Sequence, residues 1–247
     1  MGRAPLTTRV LGLAACATLV GGLSACSNDK VAKNVDLVAG KKAFVKSCGS
    51  CHTLAHAGTK GTVGPNLDDA FRESLSEGFG RNTVMGVVRE QIDHPARLPK
   101  TSPVFMPQKV VTGKTAQDVA SYVASVVAVP GKDTGRLASA VPAAGSGKPV
   151  AASGGKLEMP ADPNGQLAYA SKQATAPAGK LQIESKNASS TPHDIVITGN
   201  GVNQTGKTVS NGGVSMIDVN LKPGKYTYFC SLPGHRAAGM QGTLTVK

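Results

Sequence analysis

The sequence predicts two domains, an all-α domain followed by an all-β sandwich. Before residue 131 the apolar side chains recur at helical spacing, as in Val84, Met85, Val87 and Val88. After residue 156 apolar and polar side chains alternate with a period of two, which is typical of strands. Residues 131–156 are rich in Gly, Ala, Ser and Pro and contain few large apolar groups. Such a composition cannot build a core, so we predict a flexible linker there, with an r.m.s. span of about 25–30 Å.

The first 25 residues predict a secretory signal. Arg3 and Arg9 make a basic start, and an apolar run of small residues follows over 10–23. This run is too short and too rich in glycine for a confident membrane span.

The signal ends in the motif LSAC, whose cysteine is Cys26. The motif resembles the lipobox of bacterial lipoproteins, in which the cysteine becomes the lipidated first residue of the mature chain. The motif LAAC at Cys16 also fits, but cleavage there would leave an apolar core of about four residues against the usual 7–15. We therefore expect lipidation at Cys26 and a polar tether over 26–36. An ordinary cleaved signal or an uncleaved anchor is the alternative.

Individual elements follow from the same two periodicities. We predict helices over 35–46, 82–92 and 115–129, the last with Thr115 as N-cap, Asp118 three residues on and Pro130 as the stop. The alternating segments predict strands over 180–185, 194–197, 215–221, 225–230 and 242–247, separated by Gly-containing turns.

Two of the five cysteines, Cys48 and Cys51, lie in the motif CGSCH, which ends in His52. In an exported chain this spacing indicates covalent haem c attachment, with both thiols bonded to the haem and His52 on the iron. A thioredoxin-like redox pair or half of a zinc site is the alternative. A zinc site would need a second CxxC or a His pair, and the sequence has neither.

Further motifs around CGSCH give residues 37–130 a family resemblance. The segment GPNL at 64–67, the segment Phe105-Met106-Pro107, and Gly40, Phe44 and Tyr122 all match. The domain resembles class I cytochrome c. The resemblance implies that the Pro65 carbonyl orients His52 and that Met106 is the second axial ligand. It also implies a close crossing of the first and last helices at Gly40, with aromatic side chains packed beside it.

From the residues alone, the second axial ligand has rivals. His56 lies four residues after His52 and stays on the same side of the ring, His94 is expected on the surface, and Met85 is expected in the core. Met106 is therefore preferred. A His/Met pair raises the haem potential relative to harder ligands and leaves no open position, which favours electron transfer over oxygen chemistry.

A single cysteine, Cys230, lies at the end of the predicted strand over 225–230. His235 and Met240 follow it at intervals of five residues. His193 lies at the start of an earlier strand. Two imidazoles, a thiolate and a long axial thioether make a blue-copper electron-transfer site. The alternative is that Cys230 is a small buried hydrophobe, His235 a loop residue and Met240 part of the core.

The C-terminal half also has a family resemblance. The spacing C-x4-H-x4-M, the tripeptide TPH that ends at His193, and the closing segment GTLTV match the cupredoxins, near plastocyanin and auracyanin. For residues 157–247 the resemblance implies a Greek-key sandwich with one type 1 copper. The position after the first histidine is often Asn in this family, where its side chain ties the ligand loops together, whereas this chain has Asp194.

Composition and ligand counts exclude several functions. The formal net charge is +12, but the lysines are scattered, and export argues against a nucleic-acid partner. Of the five histidines, three are assigned, and the remaining two cannot build the extra copper site of a nitrite reductase or a multicopper oxidase. We therefore expect an electron carrier with no small-molecule substrate.

These observations predict an exported protein with one haem c and one type 1 copper. We expect it to be lipid-anchored at the outer face of the cytoplasmic membrane or in the periplasm. Its expected role is to carry electrons between a quinol–cytochrome c reductase and a terminal oxidase. The alternative is an accessory or redox-sensing subunit whose two domains serve separate partners.

Overall fold

The computed structural model describes residues 34–247. The predicted signal over 1–25, the lipidation site Cys26 and most of the tether over 26–36 lie outside this range and stay predictions.

The first domain is helical, as predicted from its periodicity. Its three long helices are close to the predicted ranges. In chain order its elements are α1 (Leu37–Ser47), β1 (Thr53–Leu54), β2 (Thr59–Lys60), α2 (Leu67–Ala70), α3 (Arg72–Ser76), α4 (Arg81–Asp93) and α5 (Gly113–Val126).

Helix α5 differs from its prediction at both ends. It begins after Thr112 rather than Thr115 and ends at Val126, three residues early. Asp118 is not part of a capping pair. Its carboxylate accepts a hydrogen bond from the backbone N–H of Asp36 at 3.0 Å and another from Lys114. A residue that suits a capping box therefore joins two distant segments of the chain.

Helices α1 and α5 cross closely at Gly40, as the family resemblance implies. A Cβ at Gly40 would lie 2.2 Å from the carbonyl oxygen of Asp118, so only glycine permits this approach. Phe44 and Tyr122 pack beside the crossing, with ring centroids 6.4 Å apart. The crossing fixes α1, which leads directly into the Cys48 segment.

The second domain is a sandwich of two sheets, and all five predicted strands are present. Helix α6 (Gly135–Ala138) precedes it and packs against α1 of the first domain. The elements of the sandwich are β3 (Val150–Ala151), β4 (Lys156–Glu158), β5 (Gln173–Ala176), β6 (Gly179–Lys186), β7 (Val196–Gly199), β8 (Val202–Thr205), β9 (Val214–Leu221), β10 (Gly224–Phe229), helix α7 (His235–Ala238) and β11 (Gln241–Val246).

The two sheets have the strand orders β3-β5-β11-β10-β7-β8 and β4-β6-β9. Strand β9 shows how they enclose a core. It buries Ser215, Ile217, Val219 and Leu221, and it exposes the alternate residues. The core between the sheets includes Cys230 and Met240, so two of the predicted copper ligands belong to the buried core of the domain.

The structure differs from the expected flexible linker over 131–156. Asp133 is buried against the first domain, where its carboxylate contacts Lys41 Nζ at 2.8 Å and His56 Nδ1 at 2.7 Å. The hydroxyl of Tyr122 also donates to Asp133, at 3.1 Å. Burial raises the pKa of Asp133, but the hydrogen bonds from Lys41 and His56 outweigh it and hold that pKa below its usual value.

The far end of the same segment joins the second domain. Strand β3 pairs with β5, and the N–H of Gly147 donates to the carbonyl of Ala170 at 2.9 Å. Polar contacts thus help to hold a segment that contains few large apolar groups. Composition alone could not predict them, because their partners lie in distant parts of the chain.

No helix within residues 34–247 combines the length and the hydrophobicity that are needed to cross a membrane.

Candidate functional site

The first site is built around His52, at the end of the CGSCH segment. The Nδ1 atom of its ring lies 3.0 Å from the carbonyl oxygen of Pro65. A carbonyl only accepts, so Nδ1 carries the proton and Nε2 is left as the metal-binding nitrogen. A Cβ at Gly64 would lie 2.4 Å from the His52 ring, so glycine there lets the backbone approach the imidazole. The segment GPNL therefore orients His52, as the family resemblance implies.

A cavity of about 600 Å³ opens beside His52. Its lining is largely apolar and includes Cys48, Cys51, Phe44, Pro65, Leu67, Ile92, Leu98, Phe105, Met106 and Val119. Both thiols are free, and burial raises the pKa of Cys48 to about 12. The cavity has the size and apolar character of a cofactor site, with two thiols at one wall for covalent attachment. These residues fit haem c, with Cys48 and Cys51 holding it and His52 as a ligand.

Met106 lines this cavity, and its three rivals lie elsewhere. His56 is buried against Asp133, and its Nε2 lies 3.1 Å from the carbonyl of Val129. His94 is exposed and pairs with Glu90, as expected for a surface residue. The sulfur of Met85 accepts a hydrogen bond from Ser121 at 3.3 Å and packs against the core. Met106 as the second axial ligand stays a prediction, and its position in the cavity supports it.

The second site brings together His193, Cys230 and His235. The two Nδ1 atoms are 3.2 Å apart, and Cys230 Sγ lies 3.4 Å from His235 Nδ1. One donor atom from each residue lies within 4.8 Å of the others, and all three residues are buried. Met240 is fully buried in the same core. These four residues form the site that the sequence predicts.

Backbone geometry holds the three C-terminal ligands together. The N–H of Met240 donates to the carbonyl of His235 at 3.0 Å, and the N–H of Cys230 donates to the carbonyl of Met240 at 3.1 Å. Gly234 and Gly239, both with positive φ, flank the short helix α7 and allow the chain to turn back twice. The ligand loop is thus closed on itself by its own backbone hydrogen bonds.

Asp194 ties this loop to the strand that carries His193. Its carboxylate accepts a hydrogen bond from the backbone N–H of Ser231 at 2.7 Å and another from the hydroxyl of the same residue. The buried hydroxyl of Tyr169 donates to the carbonyl of Asp194 at 2.7 Å. A carboxylate therefore performs here the loop-tying role that the resemblance gives to Asn. Such support around the ligands is what fixes their orientation.

The pKa values of the ligands determine which of them must lose a proton before a metal ion can bind. Burial, and then His235, lower the pKa of His193 to about 4, and burial also lowers the pKa of His235. Both imidazoles are therefore neutral near pH 7. Burial raises the pKa of Cys230 to about 11, although backbone N–H groups of Asp194 and Leu232 counteract it. Copper binding at neutral pH must then release the thiol proton.

Two neutral imidazoles, a thiolate and a thioether, three of them from one closed loop and His193 from another segment, fit type 1 copper. Bound copper would supply one-electron exchange between Cu(I) and Cu(II), and bound haem would supply the same between Fe(II) and Fe(III). The two sites together define an electron-transfer protein with one haem centre and one copper centre.

Comparison with known families agrees with this description. Residues 37–126 match the cytochrome c family, and residues 156–247 match the copper-binding proteins of the plastocyanin/azurin family. The chain therefore joins a cytochrome c domain to a cupredoxin domain.

Solved structures similar to this chain include several auracyanins. The dithionite-reduced auracyanin of the photosynthetic bacterium Roseiflexus castenholzii is 24% identical, with 41% of this chain and 99% of that chain covered and a TM-score of 0.34. Auracyanin B is also 24% identical, with 42% and 96% covered and a TM-score of 0.34. Auracyanin A from Chloroflexus aurantiacus, a blue copper protein, is 20% identical, with 40% and 100% covered and a TM-score of 0.33.

Sequence reasoning missed the residues that support these sites. It did not predict that Asp133 would pair with His56, or that Ser231 would hold Asp194. The partners in these pairs are separated by 77 and 37 residues. The only signal in the sequence was the departure from Asn at position 194, which marked a residue beside the copper ligands without naming its partner.

Proposed function

We propose that this chain is an exported, lipid-anchored electron carrier that relays single electrons between its haem and its copper. The observation that carries the proposal is that one chain holds both a haem-attachment segment beside an apolar cavity and a buried copper site. Both centres exchange electrons without binding a substrate, so we place the chain among electron carriers rather than enzymes.

We further propose that the carrier works in a respiratory chain, between a quinol–cytochrome c reductase and a terminal oxidase. A lipid on Cys26 would hold it at the outer face of the cytoplasmic membrane or in the periplasm, where both complexes are accessible. The formal charge of +12 favours encounter with acidic faces of redox partners.

The test is a turnover assay with the complete chain and membranes from its source that lack it. We expect quinol addition to reduce both centres and oxygen to reoxidise them, with an oxidase inhibitor blocking only reoxidation. The reason is that, in the proposed path, electrons pass from the quinol-oxidising complex through the two centres to the oxidase. Absorbance in the haem and copper bands follows both steps.

The control is a Cys230→Ala chain, which keeps the haem site. In a relay its quinol-to-oxygen turnover falls well below that of the unchanged chain. If turnover is unaffected by the loss of copper, the domains serve separate partners and the relay is wrong.

Lipid anchoring has its own test. We expect the Cys26→Ala chain, expressed in its source, to move from the membrane fraction to the soluble fraction with both chromophores intact. Firm attachment to a membrane needs two lipid signals together. Cys26→Ala removes the residue that would carry the lipid, so the chain should lose its attachment. Immunoblots of the fractions and the intact mass of the mature chain measure it, with Cys16→Ala as the matched control. A Cys26→Ala chain that stays in the membrane although its signal has been cleaved would exclude this anchor.

A further inference from the structure

The haem-attachment segment directly touches the segment that leads to the copper ligand His193. Ser50, between Cys48 and Cys51, accepts a hydrogen bond from the hydroxyl of Thr191 at 3.0 Å. The Ser50 hydroxyl in turn donates to Cys51 Sγ at 3.9 Å. Thr191 lies two residues before His193, a copper ligand. A directed chain of hydrogen bonds thus runs from a haem-bonding sulfur to the segment that carries a copper ligand.

Two further approaches between the domains lie beside ligands. A Cβ built on Gly234, the residue before His235, would lie 3.3 Å from Thr62 Oγ1. A Cβ built on Gly165 would lie 2.9 Å from the carbonyl oxygen of Lys46, which is two residues before Cys48. The domains therefore meet at the ends that hold their metals.

The segment between the domains leaves little room for them to separate. Val141 packs against the core of the first domain, and the carbonyl of the next residue, Pro142, accepts a hydrogen bond from Gln166 of the second domain at 3.0 Å. Consecutive residues therefore contact different domains. While these contacts persist, the full length of this segment cannot act as a flexible tether between the domains.

The copper side of the contact is itself held in place. The side chain of Asn187 donates to the carbonyl of Thr191 at 2.7 Å and to that of Val209 at 2.8 Å. The carboxamide oxygen of Asn187 accepts from the N–H of Ser189 at 3.0 Å. Because the Asn187 amide is fully used within this loop, the Thr191 hydroxyl has a fixed position from which to reach Ser50.

We propose that the haem-attachment segment and the segment that leads to His193 form a fixed junction, bridged by Ser50 and Thr191, that carries the electron directly between the two centres. The inference rests on the proposed relay and names its route. One electron crosses the junction: when haem iron goes from Fe(II) to Fe(III), copper goes from Cu(II) to Cu(I), and the reverse transfer exchanges these roles. No proton moves and no bond breaks.

Two measurements on the holoprotein test the junction. Backbone ¹⁵N relaxation of the fully reduced, diamagnetic protein gives a rotational correlation time for each domain. Rapid photochemical reduction of one centre, followed in the haem and copper bands, gives the rate of internal transfer. For the unchanged chain we expect a single shared correlation time and a first-order rate that is independent of protein concentration.

Thr191→Val removes the bridging hydroxyl and keeps the size of the side chain. We expect the internal rate constant to fall, because this change removes a hydrogen-bonded link on the route between the two centres. Thr245→Val is the matched control, because Thr245 lies half-buried on β11, paired with Lys225 and Thr175 inside the second domain. This control should leave both measurements unchanged.

Gly165→Gln forces the domains apart, because the new side chain would meet the Lys46 backbone. We expect two different correlation times and a larger loss of rate than in Thr191→Val. Gly201→Gln is its control, since Gly201 has a similar φ of 82° against 77° for Gly165, and a Cβ there meets nothing within 4 Å. The control imposes the same backbone strain without touching the other domain.

The outcomes separate the junction from the relay. If transfer in the unchanged chain depends on protein concentration, both the relay and its route are wrong. If transfer is first-order but neither Thr191→Val nor Gly165→Gln slows it, the relay stands and the junction is wrong. Separate correlation times in the unchanged chain would also overturn the junction.

Discussion

Replacing Cys230 by alanine should abolish the intense thiolate-to-copper absorption of the oxidised protein and leave the haem bands intact. Cys230 supplies the sulfur whose bond to copper gives that band, and it is fully buried among the other ligands. Loss of a supporting residue around a metal ligand typically costs about 10–100-fold in affinity. Loss of the thiolate itself should cost more. Optical spectra and copper titration of the purified chain measure both effects.

Cys230→Ser is the companion variant, because it keeps the size and a hydrogen-bonding group but removes the sulfur. We expect it to lose the band as completely as Cys230→Ala. A thiolate-type band in either variant would exclude Cys230 as the ligand. If the unchanged chain shows no such band after copper addition, the C-terminal domain has no type 1 centre.

Replacing Met106 by alanine should lower the haem potential and open a coordination position. Met106 lines the cavity beside His52, and a thioether ligand raises the potential relative to harder ligands. Axial ligands tune haem over about 0.8 V, so we expect a shift that is large on that scale rather than a small adjustment. Redox titration measures the potential, and binding of imidazole or cyanide to the oxidised haem measures the open position.

Met85→Ala is the matched control for this change. Met85 is in the same domain and half-buried, but its sulfur accepts hydrogen bonds from Ser121 and Gln117 and it does not line the cavity. We expect Met85→Ala to lower stability, with little effect on the potential. Equal potentials in Met106→Ala and the unchanged chain would mean that another residue ligates the iron.

The close packing of the domains changes how the relay should work. A flexible linker would make the two centres meet by diffusion, at an effective concentration on the order of millimolar. The contact between Ser50 and Thr191 instead holds the two ligand segments at one distance. Internal transfer should then have one rate constant rather than a distribution over encounters.

Several features of the protein were predictable because their signals are local. The helical and alternating periodicities predicted both folds, since burial imposes the spacing of side chains on each element. The motif CGSCH and the spacing from Cys230 to His235 and Met240 predicted the sites, since these ligands must reach one centre from a short segment. His193 was predicted although it comes from a distant strand, because the chain offers few histidines and its strand position fits.

The sequence by itself therefore determined two domains, their fold classes and the residues that hold copper. Only the tertiary structure decided how the domains meet. The hydroxyls of Thr191 and Ser50 are 141 residues apart in the chain, and Asp133 joins Lys41 across 92 residues. Serine, threonine and aspartate occur on any polar surface, so composition and periodicity carry no information about their partners. Such contacts exist only once both domains have folded, because folding brings polar groups from distant parts of the chain within reach of one another.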